Sequence, residues 1–233
     1  TSLEKVSSGA NGATSVFVNN VYANTVENTG TGSTTFQDNV VATDVNVTIT
    51  GPVTVAEINA IVTTGVIKAT LEGSAAELAT LTTSNSDLLT LKVTGTTATA
   101  TELNDIDAAT SVKVNASAVT SITDSAADLK TIYASKTISG LGNEAVTISP
   151  AADAADVNKI LKATTGVVTA SVTAAIAADL VKDLKDAKAT DKLTLTVNDA
   201  TPAAASDLKA LDAKTSVNVN ASAVTAITGT AAD

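Results

Sequence analysis

The side chains with the most chemistry in this chain are its acids, and they recur. Glu57, Glu77, Glu102, Asp128, Asp156, Asp179, Asp207 and Asp233 stand in one short motif: a small or hydroxyl residue, two spacers, an acid, an aliphatic, two spacers, an aliphatic. It reads TVAEINAI at 54–61, SAAELATL at 74–81, TATELNDI at 99–106 and SAADLKTI at 125–132. Looser copies lie at 153–160, 176–184 and 204–211, and a truncated one at 230–233. Ser or Thr followed three residues later by Glu is a capping box, in which each side chain satisfies an amide at a helix start. Asp at that place also favours the positive end of the helix dipole. The alternative chemistry is metal binding. Oxygen-only ligands suit calcium, and in a stacked repeat Asp128, Asp156, Asp179 and Asp207 are the calcium candidates. There is no EF-hand loop and no GGxGxD nonapeptide. Paired carboxylates also cleave glycosides, but these acids are bound to the motif, no pair stands out, and no aromatic platform for a sugar is legible beside them. The expectation is eight helix-capping acids, no catalytic residue and no cofactor, with calcium the one metal the composition favours.

The rest of the composition narrows the function further. The chain has 233 residues, 14 basic and 24 acidic, with a net charge of −10 and no His, Cys, Met or Trp. All the basic residues are Lys, and the aromatics are Phe17, Tyr22, Phe36 and Tyr133. An acidic, Arg-free chain lacks the basic patch and stacking rings of a nucleic-acid binder. Without His and Cys, zinc, iron–sulfur and haem sites lose their usual ligands, and Ser-His-Asp or Cys-His nucleophiles have no base. No apolar run reaches the ~18 residues of a membrane span, so a membrane-spanning protein is not expected. Thr1 opens the chain without a charged start and apolar run, as a mature or excised segment would.

The elements that must position the acids come next. The two aliphatics after each acid fall on one face of a helix of two to three turns, too short to stand alone in water. Before each helix lies a run that alternates aliphatic with Thr, Asn or Lys: 45–50, 66–71, 88–94, 111–116, 145–149, 167–173, 192–198 and 216–221. Such alternation gives a strand with one buried face. The unit is strand, turn, short helix, turn, and successive acids stand 20 to 28 residues apart. So short a crossover predicts an α/β repeat solenoid of parallel strand–helix units, a stiff rod of about eight units over 46–233. Residues 1–45 lack the motif and hold three of the four aromatics. Short strands are expected there at 15–20, 21–27, 33–37 and 39–43, as an all-β cap or docking segment.

A second period lies above the first. SVKVNASAVTSITDSAAD at 111–128 returns as SVNVNASAVTAITGTAAD at 216–233, with 14 of 18 positions the same and an offset of 105 residues. Residues 88–128 match 192–233 with one insertion near Pro202, so four units make one superrepeat. The second copy breaks off inside a unit, and the object is expected to be longer than this chain. Asn46, Asn115 and Asn220 begin N-x-S/T patterns, read as turn formers, with glycan attachment as the functional alternative.

The blocks SVKVNASAVTSITDSAADLKTIYAS and ISGLGNEAVTIS resemble repeats of very large secreted bacterial surface proteins, of the S-layer-like, haemolysin-like, adhesin-like and marine cyanobacterial giant surface protein types. The resemblance covers about 85–233 well and 46–84 loosely. It implies an extracellular, cell-surface location and a structural role. The expected function is a non-enzymatic scaffold of a bacterial extracellular assembly (surface layer, filament or giant surface protein) that self-associates or stacks with further repeats. The alternative is an adhesive module that binds surface glycans.

Overall fold

A computed structural model of the chain describes residues 46–230. Before them it describes the backbone of five short strands: β1 (Val6–Ser8), β2 (Ser15–Phe17), β3 (Val26–Asn28), β4 (Thr34–Phe36) and β5 (Val40–Ala42). Asp233 and parts of the strands expected at 15–20, 21–27, 33–37 and 39–43 lie outside the described residues. The chain forms two compact units. One holds Thr1–Ala98, Glu102–Ala118 and Lys136–Gly140; the other holds Thr99–Thr101, Val119–Ser135 and Leu141–Asp233.

The first unit carries β6 (Val47–Ile49), α1 (Val55–Asn59), β7 (Ile61–Thr63), β8 (Ile67–Gly73), α2 (Ala75–Leu78) and β9 (Leu88–Val93). The division between the units falls inside β10 (Thr97–Thr99) and the first residues of α3 (Ala100–Ala108), which leads to β11 (Val114–Asn115); β13 (Ile138–Ser139) completes the first unit. Its main sheet is parallel throughout, in the order β1-β3-β6-β8-β9-β11-β13. β5 also pairs with β7, and β2 with β4, both in parallel. Period-two alternation explains β8, where Ile67, Ala69 and Leu71 are buried while Lys68, Thr70 and Glu72 face out. Register sets Ala69 opposite Leu89 and Leu71 opposite Leu91, all buried. Each large aliphatic so covered contributes about 1.5–3 kcal/mol. On the outer face, Lys92 pairs with Glu72 at 3.1 Å, an exposed pair worth at most about 1 kcal/mol.

The second unit carries β12 (Ser121–Asp124), α4 (Ala126–Ala134), β14 (Ala145–Ala152), α5 (Ala154–Ala163), β15 (Val168–Val172), α6 (Ala177–Asp183) and β16 (Lys192–Thr194). Then come β17 (Ala203–Ala204), α7 (Ala205–Asp212) and β18 (Ile227–Thr228). β12, β14, β15 and β16 are parallel neighbours in that order, and β17 pairs with β18 in parallel. Ile122, Val146 and Val168 stack in register and are fully covered, as are Ala170 and Leu193.

The protein is therefore α/β, with parallel sheets of strands joined through short helices. Helices stand at all seven described acid motifs. Two differences from the sequence reading matter. Additional strands of two to four residues (β7, β10, β12, β13, β17 and β18) accompany the expected ones. The strand expected at 216–221 is reduced to one parallel bridge, Thr196 to Asn220. Its earlier copy, β11, is paired on both sides, with β9 and with β13.

Candidate functional site: helix caps and buried polar bridges

The acids of the motif sit in the first helical turn, where helix amides lack partners. At α1 the box is complete: the Thr54 amide donates to Glu57 Oε2 at 2.9 Å, and the Glu57 amide donates to Thr54 Oγ1 at 3.2 Å. The Glu77 amide donates to Ser74 Oγ at 3.2 Å, and the Asp128 amide to Ser125 Oγ at 3.2 Å. The Asp156 amide donates to Asp153 Oδ1 at 2.7 Å. The Asp156 carboxylate faces outward to cations, taking Lys130 Nζ at 2.5 Å and Lys159 Nζ at 2.9 Å. Those two bonds, Lys130 first, hold its carboxyl below the usual range, and the same contact raises Lys159. Glu102, Asp179 and Asp207 lie in the first turns of α3, α6 and α7. The N-cap residues of α6 and α7, Ile176 and Ala204, give no side-chain bond.

The calcium candidates are not brought together. Asp128, Asp156, Asp179 and Asp207 begin four different helices, and no group of three or more acids that could hold a metal ion forms among the described residues. Asn115 and Asn220 fold back on their own chains, each Oδ1 accepting the amide two residues on, from Ser117 and Ser222. Asn46 instead reaches across, accepting the Val66 amide at 2.8 Å.

A second set of polar residues, which the sequence reading passed over, links one strand–helix unit to the next. Asp87 is 5% exposed; its Oδ1 accepts the Ile67 amide at 2.7 Å and its Oδ2 the Ser84 amide at 2.8 Å. Asp191, 1% exposed, does the same for Val168 at 2.9 Å and Lys188 at 2.8 Å. Thr110 Oγ1 accepts the Leu89 amide and donates to the Leu89 carbonyl, and Thr215 treats Leu193 in the same way. Ser111 and Ser216 then donate to the carbonyls of Asp87 and Asp191. The superrepeat thus preserves these hydrogen bonds: the bridges made by Asp87, Thr110 and Ser111 have counterparts in Asp191, Thr215 and Ser216.

Two helices take their cap from a residue 22 or 23 positions on. Asp124 Oδ2 accepts the Thr101 amide at 2.8 Å and its hydroxyl at 2.7 Å, at the start of α3. Burial pushes the Asp124 carboxyl up, but the Thr101 hydroxyl and the amides of Thr101, Ser125 and Ala100 together hold it below the usual value. Asp199, buried, accepts the Ala177 amide at 2.9 Å at the start of α6. The position matching Asp124 in the second copy is Gly229, which has no side chain to give α7 such a bond.

Glu144 is the other buried acid, 1% exposed. Its Oε2 accepts the amides of Gly142 and Asn143, and its Oε1 accepts the Tyr133 hydroxyl. Burial and then that carboxylate drive the Tyr133 phenol well above its usual value, so it stays protonated. Thr164 Oγ1 donates to the Glu144 carbonyl at 2.7 Å, and Gly166 passes so close that an added Cβ would lie 2.2 Å from that oxygen. Only glycine fits there.

The chemistry of all these groups is one of satisfying amides and carbonyls. No protein family model matches this chain, and no curated protein or solved structure proves significantly similar to it. None of its helices among the described residues is long and apolar enough to cross a membrane.

Proposed function

We propose that this chain is a non-enzymatic structural scaffold of a bacterial extracellular assembly. In this reading the parallel strand–helix units form a solenoid that stacks with further repeats or further subunits. The observation that carries it is the use made of the buried polar side chains. Asp87 and Thr110, and again Asp191 and Thr215, bind the backbone of the preceding unit. A buried polar group that is satisfied in this way fixes register, and one left unsatisfied costs about 1–3 kcal/mol. Residues of this kind secure stacking. The surface location rests on the resemblance of 111–135 and 138–149 to repeats of giant bacterial surface proteins.

Open parallel edges favour growth by head-to-tail contact, which gives fibres or layers rather than closed dimers. Sedimentation velocity of the full chain over a hundredfold concentration range tests this. The scaffold reading expects a distribution that shifts to larger assemblies. A chain that stays monomeric throughout contradicts it. Protease shaving of intact source cells tests the location: the chain is released if it is on the surface and retained if it is not.

A further inference from the structure

We propose that the groove along α4 and α5 binds a carboxylate-bearing saccharide. The groove is open to solvent and offers about 470 Å³, a volume within the ~300–1,000 Å³ of small-ligand sites. Ala134, Ile160 and Ala163 supply apolar lining. Lys130, Lys159 and Lys162 bring three cations to it, and Tyr133 brings an aromatic ring. Three of the chain's 14 lysines thus meet in one place on a protein of net charge −10.

Two of these cations are held in position. Asp156 takes both Lys130 and Lys159, which keeps their ammonium groups from wandering. Lys162 is exposed and has no hydrogen-bond or ion-pair partner among the described residues. Two further acids lie nearby: Glu144 is covered and holds two amides and the Tyr133 hydroxyl, and Asp153 acts on Lys159 through its charge. Lys130 and Lys159 share the Asp156 carboxylate, which leaves Lys162 as the cation available to an anionic ligand.

The tyrosine distinguishes a sugar from a bare anion. Its hydroxyl is already given to Glu144, so what it offers a ligand is the ring. A pyranose presents a face of C–H groups to such a ring and lies on apolar lining, while a carboxylate on each sugar meets a lysine. Lys is a point charge without Arg's planar fork, so it suits carboxylates spaced along an oligomer. The residue five beyond the motif acid is Val62, Thr82, Asp107, Leu161, Leu184 or Asp212 at the other helices, so the repeat itself does not require this tyrosine.

Calorimetric titration of the full chain with trigalacturonate at low salt tests the site, with maltotriose as the neutral control and tricarballylate as the sugar-free one. The expected result is saturable binding of trigalacturonate, weakened by salt, with at least tenfold weaker binding of both controls. Lys162→Glu and Lys159→Ala change exposed side chains, so melting by circular dichroism should be retained while affinity falls tenfold or more. Absence of saturable binding overturns the proposal. So does equal binding of maltotriose or tricarballylate, or wild-type affinity in either folded variant. None of these results depends on whether the chain assembles.

Discussion

The Thr110 hydroxyl accepts the Leu89 amide at 3.0 Å and donates to the Leu89 carbonyl at 2.8 Å, so one side chain closes both backbone groups of a buried strand residue in the preceding unit. It also accepts the Val112 amide at 3.0 Å. Thr110→Val keeps the shape and removes every one of these bonds. The expected cost is about 1–3 kcal/mol, from the buried groups left unsatisfied. Thr110→Ser keeps the hydroxyl and should lose less than half as much. Urea denaturation of the two variants beside wild type checks the order.

Asp191 holds two amides on separate segments, Val168 and Lys188, from an almost fully covered position. Asp191→Ala leaves both without a partner, and at about 1–3 kcal/mol for each buried group it should be the more damaging change. Hydrogen exchange should show the Val168 amide losing protection in this variant, with amides around Ile67 unaffected because Asp87 still serves them.

Asp124 caps α3, and Gly229, at the matching place in the second copy, has no carboxylate to do the same for α7. Gly229→Asp should supply it and raise stability by about 0.5–2 kcal/mol, the usual worth of an N-terminal cap. Asp124→Gly should lower it by a similar amount. Thermal melts that move both variants in the same direction would contradict this reading of the two positions.

Asp156 titrates below its ordinary value of 3.8 because Lys130 and Lys159 bond its charged form. A carboxyl with a depressed folded-state value contributes stability that is fully present above the unfolded value and is lost as pH falls through the folded one. Wild type should therefore exceed Asp156→Asn in stability at pH 7, and the gap should narrow as pH falls below the ordinary value of 3.8. A gap that stays constant down to pH 2 would show that the carboxylate's charge is not the cause.

The parts of the fold legible in the sequence are those made by local chemistry. A hydroxyl and an acid three residues apart mark a helix start by themselves, and α1 to α4 stand at such places, while α5, α6 and α7 keep the acid behind Asp153, Ile176 and Ala204. Long alternating strands such as Ile67–Gly73 announce their buried face. A strand of two residues, as at β13 or β17, has no period to read, and its existence depends on the neighbour it pairs with. The same dependence explains why SVKVNA contains a strand and the nearly identical SVNVNA only a bridge. Asp124 and Asp199 were illegible as caps because each serves an amide more than 20 residues away. Asp87 and Asp191 did carry a signal. Both stand two residues before a Leu-Thr-Leu run that the superrepeat preserves, where an acid next to a buried strand needs a partner. The Lys130–Tyr133–Lys162 groove gave no such sign, since folding alone brings two helices' side chains together.

The central claim is that this chain is built to stack. Negative-stain electron microscopy of the purified full chain, at the concentrations where sedimentation shows assembly, tests it most directly. The scaffold account predicts filaments or a lattice with a regular repeat. Isolated particles of single-chain size at every concentration would contradict it.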